Sequence, residues 1–233
     1  TGAGGGLYLD ANVPSISGGS ARIENVTFSG NSVTGSGTGG AIAAAALNPA
    51  QSSMIHSTVA SNTAPMSNGG GIRVASAPNL TFPGSFSQPF TSNIVALNTG
   101  LDCFRSLEHS DSSNAGYNLE SGTSCGFTQS TDQQNTNPQL GAIAVNMPAA
   151  PTTLTAVPTR RLLASSTAID VSNPAWANAR DARGADVQDG GADNDYSNNT
   201  LRRDLGAHEF GGFGTLQFKL ATGASGFAVD EDA

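Results

Sequence analysis

Short apolar runs that end in asparagine recur along the first hundred residues. They read V-T-F-S-G-N from Val26 to Asn31, T-V-A-S-N from Thr58 to Asn62 and I-V-A-L-N from Ile94 to Asn98. A second, glycine-led pattern runs between them: G-G-G-L from Gly4 to Leu7, G-G-A-I from Gly39 to Ile42 and G-G-G-I from Gly69 to Ile72. Two signals that alternate with a period of about 30 residues predict stacked repeats rather than a single globular core.

Each glycine-led element opens a short predicted strand, at Leu7–Leu9, Ile42–Ala46 and Ile72–Ala75. A strand of three to five residues cannot bury its own faces. Stacked about 4.8 Å from the equivalent strand of the next turn, it pairs its backbone and sets like side chains on like. The expected fold is therefore all-β: a right-handed, single-stranded parallel β-helix of four or five rungs over residues 1–128. Its inward positions are expected to hold Leu7, Leu9, Ile23, Val26, Phe28, Ile42, Ile55, Val59, Ile72, Val74, Ile94 and Val95 or Ala96. Asn31, Asn62 and Asn98 end equivalent strands. Asparagine tolerates a left-handed bend, and its amide can bond to the amides above and below, so the three are candidates for a structural ladder. Glycine supplies positive φ and close approach at the turns. Rungs of this length need loops, and Ala11–Ser20, Leu47–Ser53 and the proline-bearing Ala77–Pro89 are the candidates.

Composition sharpens this picture. The chain has 29 Gly, 12 % charged residues and a formal charge of −8. Few stretches escape Gly, Ser, Thr or Asn for two helical turns, so helices are not expected. The acidic balance argues against a nucleic-acid partner, which calls for a basic face. The chain has no apolar run of membrane-spanning length, so no membrane insertion is expected. Only Asp10 and Glu24 of the 18 acids precede residue 100, which predicts a change of structural role near there. The chain opens on Thr1 inside a glycine-rich element, and it reads as an internal piece with further domains of a parent chain on both sides. Cys103 and Cys125 are the only two cysteines. An even count in a chain of secreted character predicts a disulfide between them, worth roughly 3 kcal/mol in the chain-entropy account. The segment from Asn114 to Leu119 then reads as one more strand, with Asn118 extending the ladder.

After residue 115 a series of short motifs follows in order: G-Y-N-L (Gly116 to Leu119), Cys125, T-D-Q (Thr131 to Gln133), P-Q-L-G (Pro138 to Gly141), A-I-D (Ala168 to Asp170), D-A-R-G (Asp181 to Gly184) and D-L-G-A-H-E (Asp204 to Glu209). This order resembles the choice-of-anchor Q domain of bacterial surface proteins, over about residues 92–210. The resemblance implies a β-helix closed by a loop-rich C-terminal segment, here residues 129–212. It also implies a structural or adhesive module of a large secreted or cell-surface bacterial protein, without catalytic residues. This copy differs in carrying an acidic insertion between Arg183 and Arg203. Residues 213–233 are a linker or resemble the start of a Calx-beta domain, with an alternating strand ahead of Asp230, Glu231 and Asp232.

An enzymatic alternative is a carbohydrate-active β-helix, either a polysaccharide lyase or a glycosidase. Such chemistry needs clustered acids with a base, or paired carboxylates about 5–9 Å apart. Asp10, Glu24, Arg22 and Arg73 are the only charged residues of the repeat region, and they do not recur at the repeat spacing. His56, read as a surface or turn residue, and His109 and His208 form no triad with a serine. Asp189, Asp193 and Asp195 crowd hard oxygen ligands into a short acidic loop and are candidate calcium ligands, although the spacing is not that of an EF-hand. Asp181, Arg183, Asp204 and Glu209 read instead as a structural network tying the C-terminal segment to the last rung. Expected partners are surface glycans, met by rows of Ser, Thr and Asn, or other copies of the chain.

Overall fold

The computed structural model describes residues 4–10, 21–45, 52–65, 68–75, 89–104, 115–146, 157–176, 180–184 and 203–210. Thirteen strands and one short 3₁₀ turn are formed by these residues. The first nine strands are β1 (Leu7–Asp10), β2 (Arg22–Glu24), β3 (Thr27–Ser29), β4 (Ile42–Ala45), β5 (Ser53–Ile55), β6 (Thr58–Ala60), β7 (Ile72–Ala75), β8 (Phe90–Thr91) and β9 (Ile94–Ala96). They are followed by β10 (Cys103–Phe104) and β11 (Leu119–Glu120). The chain visits three sheets in rotation. Their orders are β1-β4-β7-β10, β2-β5-β8 and β3-β6-β9-β11, and the pairing is parallel throughout. Leu7 pairs with Ile42, Ile42 with Ile72 and Ile72 with Cys103, so the glycine-led motif returns to the same register on every circuit.

The glycines permit this register. Gly4, Gly39 and Gly69 share a φ of 67–68°, the left-handed region that favours glycine. A Cβ on Gly40 would lie 2.1 Å from the carbonyl oxygen of Gly70, so the rungs approach too closely there for any side chain.

Strand alternation divides the side chains between two cores. One lies inside the stack and holds Ile23, Ile42, Met54, Val59, Ile72, Val74, Phe90, Val95 and Phe127, with Leu7, Leu9, Val26 and Phe28 packed against it. The other holds Ile94, Ala96, Leu119, Leu162, Ala168 and Leu205. It lies between the outer face of the β3-β6-β9-β11 sheet and the C-terminal segment. Ile94 thus points out of the stack, contrary to the expectation, and of Val95 and Ala96 it is Val95 that points in. Ile55 is likewise an outward residue, alternating with the inward Met54. The neighbour relations explain the difference: Met54 stacks on Phe90 and Ile23, and Phe90 meets Phe127 with ring centroids 5.5 Å apart.

The stack is closed beyond β11. Cys103 and Cys125 form a disulfide with a Cα separation of 4.8 Å, and Phe127 fills the end of the inner core. Glu120 pairs with the inward Val95 and is fully buried. It accepts N–H from Cys125 (2.8 Å) and from the Gln134 side chain (3.0 Å), and burial raises its carboxyl pKa. Gln133 continues the last rung by bridging to Leu119. An antiparallel ribbon, β12 (Leu140–Val145) with β13 (Pro158–Leu162), is followed by the described residues 163–176, 180–184 and 203–210, which pack against the outer wall.

Candidate functional site

Two side-chain ladders run the length of the stack. In the first, Asn31 donates its backbone N–H (3.0 Å) and Nδ2 (2.9 Å) to Oδ1 of Asn62. Asn62 does the same to Asn98 (2.9 Å for both), and Asn98 to Asp102 (3.2 and 2.9 Å). The remaining amide hydrogen reaches back one rung, from Asn62 to the Phe28 carbonyl (3.0 Å) and from Asn98 to that of Val59 (3.0 Å). The second ladder links Ser57, Asn93, Asn118 and Asp132 in the same direction. Asn118 therefore belongs to this second ladder and not to that of Asn31, and the strand β11 begins only after it. Each ladder ends on an aspartate, whose carboxylate accepts and has no amide hydrogen to pass on.

The left-handed bends lie one residue earlier than the asparagines. Gly30, Ser61 and Leu97 carry φ of 73°, 57° and 59°, and Asn25, His56, Ser92 and Tyr117 lie between 45° and 59° at the other corner. The asparagine's part is hydrogen bonding, which spares the corner backbone from burying unpaired groups.

The densest polar cluster is built by the C-terminal segment on the outer wall. Gly206 is pressed against the wall: its N–H donates to the Ser92 carbonyl (2.9 Å), and a Cβ there would lie 2.5 Å from Thr58 Oγ1. Ala207 N–H donates to Thr58 Oγ1 (3.0 Å). Around this contact the charges of D-L-G-A-H-E and D-A-R-G fold inward. Asp181 pairs with Arg183 at 2.7 Å, and both side chains are buried. Arg183 also reaches the Glu209 carbonyl (2.9 Å), and Asp181 accepts the Glu209 N–H (3.2 Å). Asp204 accepts N–H from Asp170 (2.8 Å) and Phe210 (2.5 Å). Glu209 accepts N–H from Asp204 (3.2 Å) and lies 3.6 Å from Arg203 Nε. Arg203 is only 1 % exposed and extends Nη2 toward Asn25 Oδ1 (3.4 Å).

Electrostatics follow from this burial. Desolvation, reinforced by the charge of Glu209, raises the Asp204 carboxyl pKa well above its usual range. Desolvation also raises Glu209 to about 7, against the opposing pull of Arg203. Burial lowers His56 and His208 to about 3, helped by Arg203 for His56 and by Arg183 for His208. Both imidazoles are neutral. His56 is fully buried at a left-handed turn with Nε2 2.9 Å from the Trp176 carbonyl, so it is a turn residue but not a surface one. His208 Nδ1 lies 2.9 Å from Thr159 Oγ1.

Asp170, Asp204 and Glu209 bring carboxylate oxygens within 4.8 Å of one another, the one grouping among the described residues with the donor chemistry for a metal ion. The Asp204 and Glu209 oxygens already accept backbone N–H groups, and Arg203 supplies positive charge beside Glu209. A cation would compete with that guanidinium. Asp189, Asp193 and Asp195, the candidate calcium ligands, lie outside the described residues, as do His109 and residues 213–233.

The sheet β1-β4-β7-β10 carries an outward row of Tyr8, Ala43, Arg73 and Phe104 in register. Arg73 lies over the Phe104 ring at 5.4 Å, and Tyr8 is 49 % exposed. The sequence pattern missed this row because its members are aligned only by the strand register.

The chain matches none of the protein-family models, curated proteins or solved structures with which it was compared. Fold and site together define an all-β protein of stacked parallel sheets, closed at one end by a disulfide and bound on its outer wall by a buried ionic clasp.

Proposed function

We propose that this chain is a structural or adhesive module of a large secreted or cell-surface bacterial protein, without catalysis of its own. In this reading the stack is a right-handed parallel β-helix, since crossovers between parallel strands of one sheet are right-handed in nearly all cases. The observation that carries the reading is the direction of the charges. Among the described residues of the C-terminal segment, Asp181, Arg183, Arg203, Asp204 and Glu209 are turned toward one another and the wall and are buried, which suits holding a closing segment in place rather than offering groups to a substrate. The disulfide supports an oxidising compartment outside the cytoplasm. The ordered motifs that resemble the choice-of-anchor Q domain support the bacterial surface.

The carbohydrate-binding alternative rests on the row of Tyr8, Arg73 and Phe104, since aromatic faces with an adjacent guanidinium suit sugar rings. Incubation of the purified protein with a panel of acidic and neutral polysaccharides, followed for new reducing ends and unsaturated uronates, tests the main reading. No turnover is expected, and product formation overturns it. A glycan array with the wild type and Arg73→Ala tests the second: glycan binding lost in Arg73→Ala assigns the row to sugar recognition.

A further inference from the structure

The β12–β13 ribbon is anchored through one of its strands. β13 is held to the molecule: Thr159 is fully buried with Oγ1 2.9 Å from His208 Nδ1, Leu162 lies in the outer core, and Arg160 Nε donates to Ser29 Oγ of β3 (2.7 Å). β12 starts beside the same core at Leu140, and the Gly141 carbonyl accepts Arg160 Nη1 (3.1 Å). Beyond that point Ala142, Ile143, Ala144 and Val145 are all exposed, Ile143 by 44 % and Val145 by 53 %. Successive strand residues point to opposite faces, so both faces of β12 are open. Its outer edge is open as well, because among the described residues β12 pairs only with β13. Such an edge presents unpaired N–H and C=O groups, a template for another extended strand. Edge strands are commonly blunted by lysine, by proline or by an inward-turned charge. The strand L-G-A-I-A-V has none of these, and no charged residue occurs between Asp132 and Arg160.

We propose that β12 is a self-association edge, at which two copies of this chain pair β12 antiparallel to β12 about a two-fold axis. The product is a four-stranded sheet in the order β13-β12-β12-β13. Charge selects this partner. The chain carries −8, so two copies repel as whole bodies, yet at β12 they meet with no like charges opposed. A charged peptide would find no counter-charge on the strand. Pairing satisfies the backbone groups of both edges and sets Ile143 and Val145 of one copy against the apolar strand of the other. The two-fold uses the same patch on both copies and closes, so assembly stops at the dimer. One strand pair is a small interface, below the area of standard stable complexes, so the dimer is expected to be reversible and concentration-dependent. The inference stands independently of the function proposed above.

Sedimentation of the purified protein from about 10 μM to about 1 mM is the test. The mass is expected to rise toward twofold with concentration, and the amides of Ala142 to Val145 to exchange more slowly in concentrated than in dilute samples. Ile143→Lys and Val145→Lys each place a charge at an exposed position. Both are expected to keep the wild-type melting temperature and to stay monomeric across the range. A wild type that is monomeric at every concentration overturns the proposal, whether its β12 amides exchange freely or are protected by another segment of the same chain. A dimer that survives both lysine variants overturns it equally, since it then forms through another face.

Discussion

Leu97 holds a φ of 59° with its side chain 43 % exposed, in the place occupied by Gly30 and Ser61 on the neighbouring rungs. A left-handed backbone costs an ordinary residue about 1–2 kcal/mol, and little packing at Leu97 offsets it. Leu97→Asn is therefore expected to stabilise the protein by roughly 0.5–1 kcal/mol, read as a higher urea midpoint with unchanged slope. The ladder makes the opposite demand on the next residue. Asn62 is fully buried and joins four polar partners, whereas Asn31 at the end of the ladder donates to one. Asn62→Ala should cost about 2–4 kcal/mol and Asn31→Ala about 1 kcal/mol or less, because only the first leaves several buried groups unpaired. Equal losses at the two positions, measured by urea unfolding, would remove the ladder as a source of stability.

At the scale of elements, the D-L-G-A-H-E turn is what joins the closing segment to the wall. Gly206 combines a φ of 89° with a Cβ position 2.5 Å from Thr58 Oγ1, so Gly206→Ala meets both a disfavoured backbone and a clash. It is expected to cost about 2 kcal/mol or more and to expose Ile94 and Leu205, seen as faster exchange of their amides while the inner-core strand β4 keeps its protection. These elements were unequally legible in the sequence. The register of Leu7, Ile42 and Ile72 could be read because the same glycine pattern marks each rung, and Cys103 with Cys125 because no other pairing exists. The orientation of Ile55 and Ile94 could not, because apolar residues fill both faces of a wall that is covered on the outside as well. Met54 and Phe90 were missed as inward residues for the same reason. The second ladder through Ser57, Asn93 and Asn118 is not legible because serine opens it and its second step shortens to 25 residues, away from the repeat spacing. Of the clasp, Asp181, Arg183, Asp204 and Glu209 were legible as a charged group, whereas Arg203, Asp170 and the wall residue Thr58 enter it only through the fold.

For the whole molecule, the buried clasp couples folding to pH in two opposing directions. His56 and His208 titrate near 6.5 when unfolded and at about 3 when folded. Their contribution to stability is present above pH 6.5 and is lost as pH falls from there toward 3, by up to about 1.4 kcal/mol per pH unit for each imidazole. Glu209 moves the other way, from 4.5 to about 7. Its contribution is fully present below pH 4.5, where the carboxyl is protonated in both states, and is lost as pH rises from 4.5 to 7, because the unfolded chain ionises first. Asp204, raised in the same direction by burial and by the Glu209 charge, adds to this loss. Stability is thus held between two limbs, an acid one set by the imidazoles and a neutral one set by the carboxyls. Glu209→Gln keeps the shape of the protonated carboxyl and cannot ionise, so it separates the limbs. Relative to wild type, the variant should gain stability steadily between pH 4.5 and 7, by on the order of 1–3 kcal/mol in all, and show a constant difference below pH 4.5. Urea unfolding at unit steps from pH 4 to 8 measures this directly. A difference independent of pH across that range would mean that Glu209 is ionised throughout, held by Arg203 at 3.6 Å, and that the clasp is a plain ion pair rather than a proton-holding one.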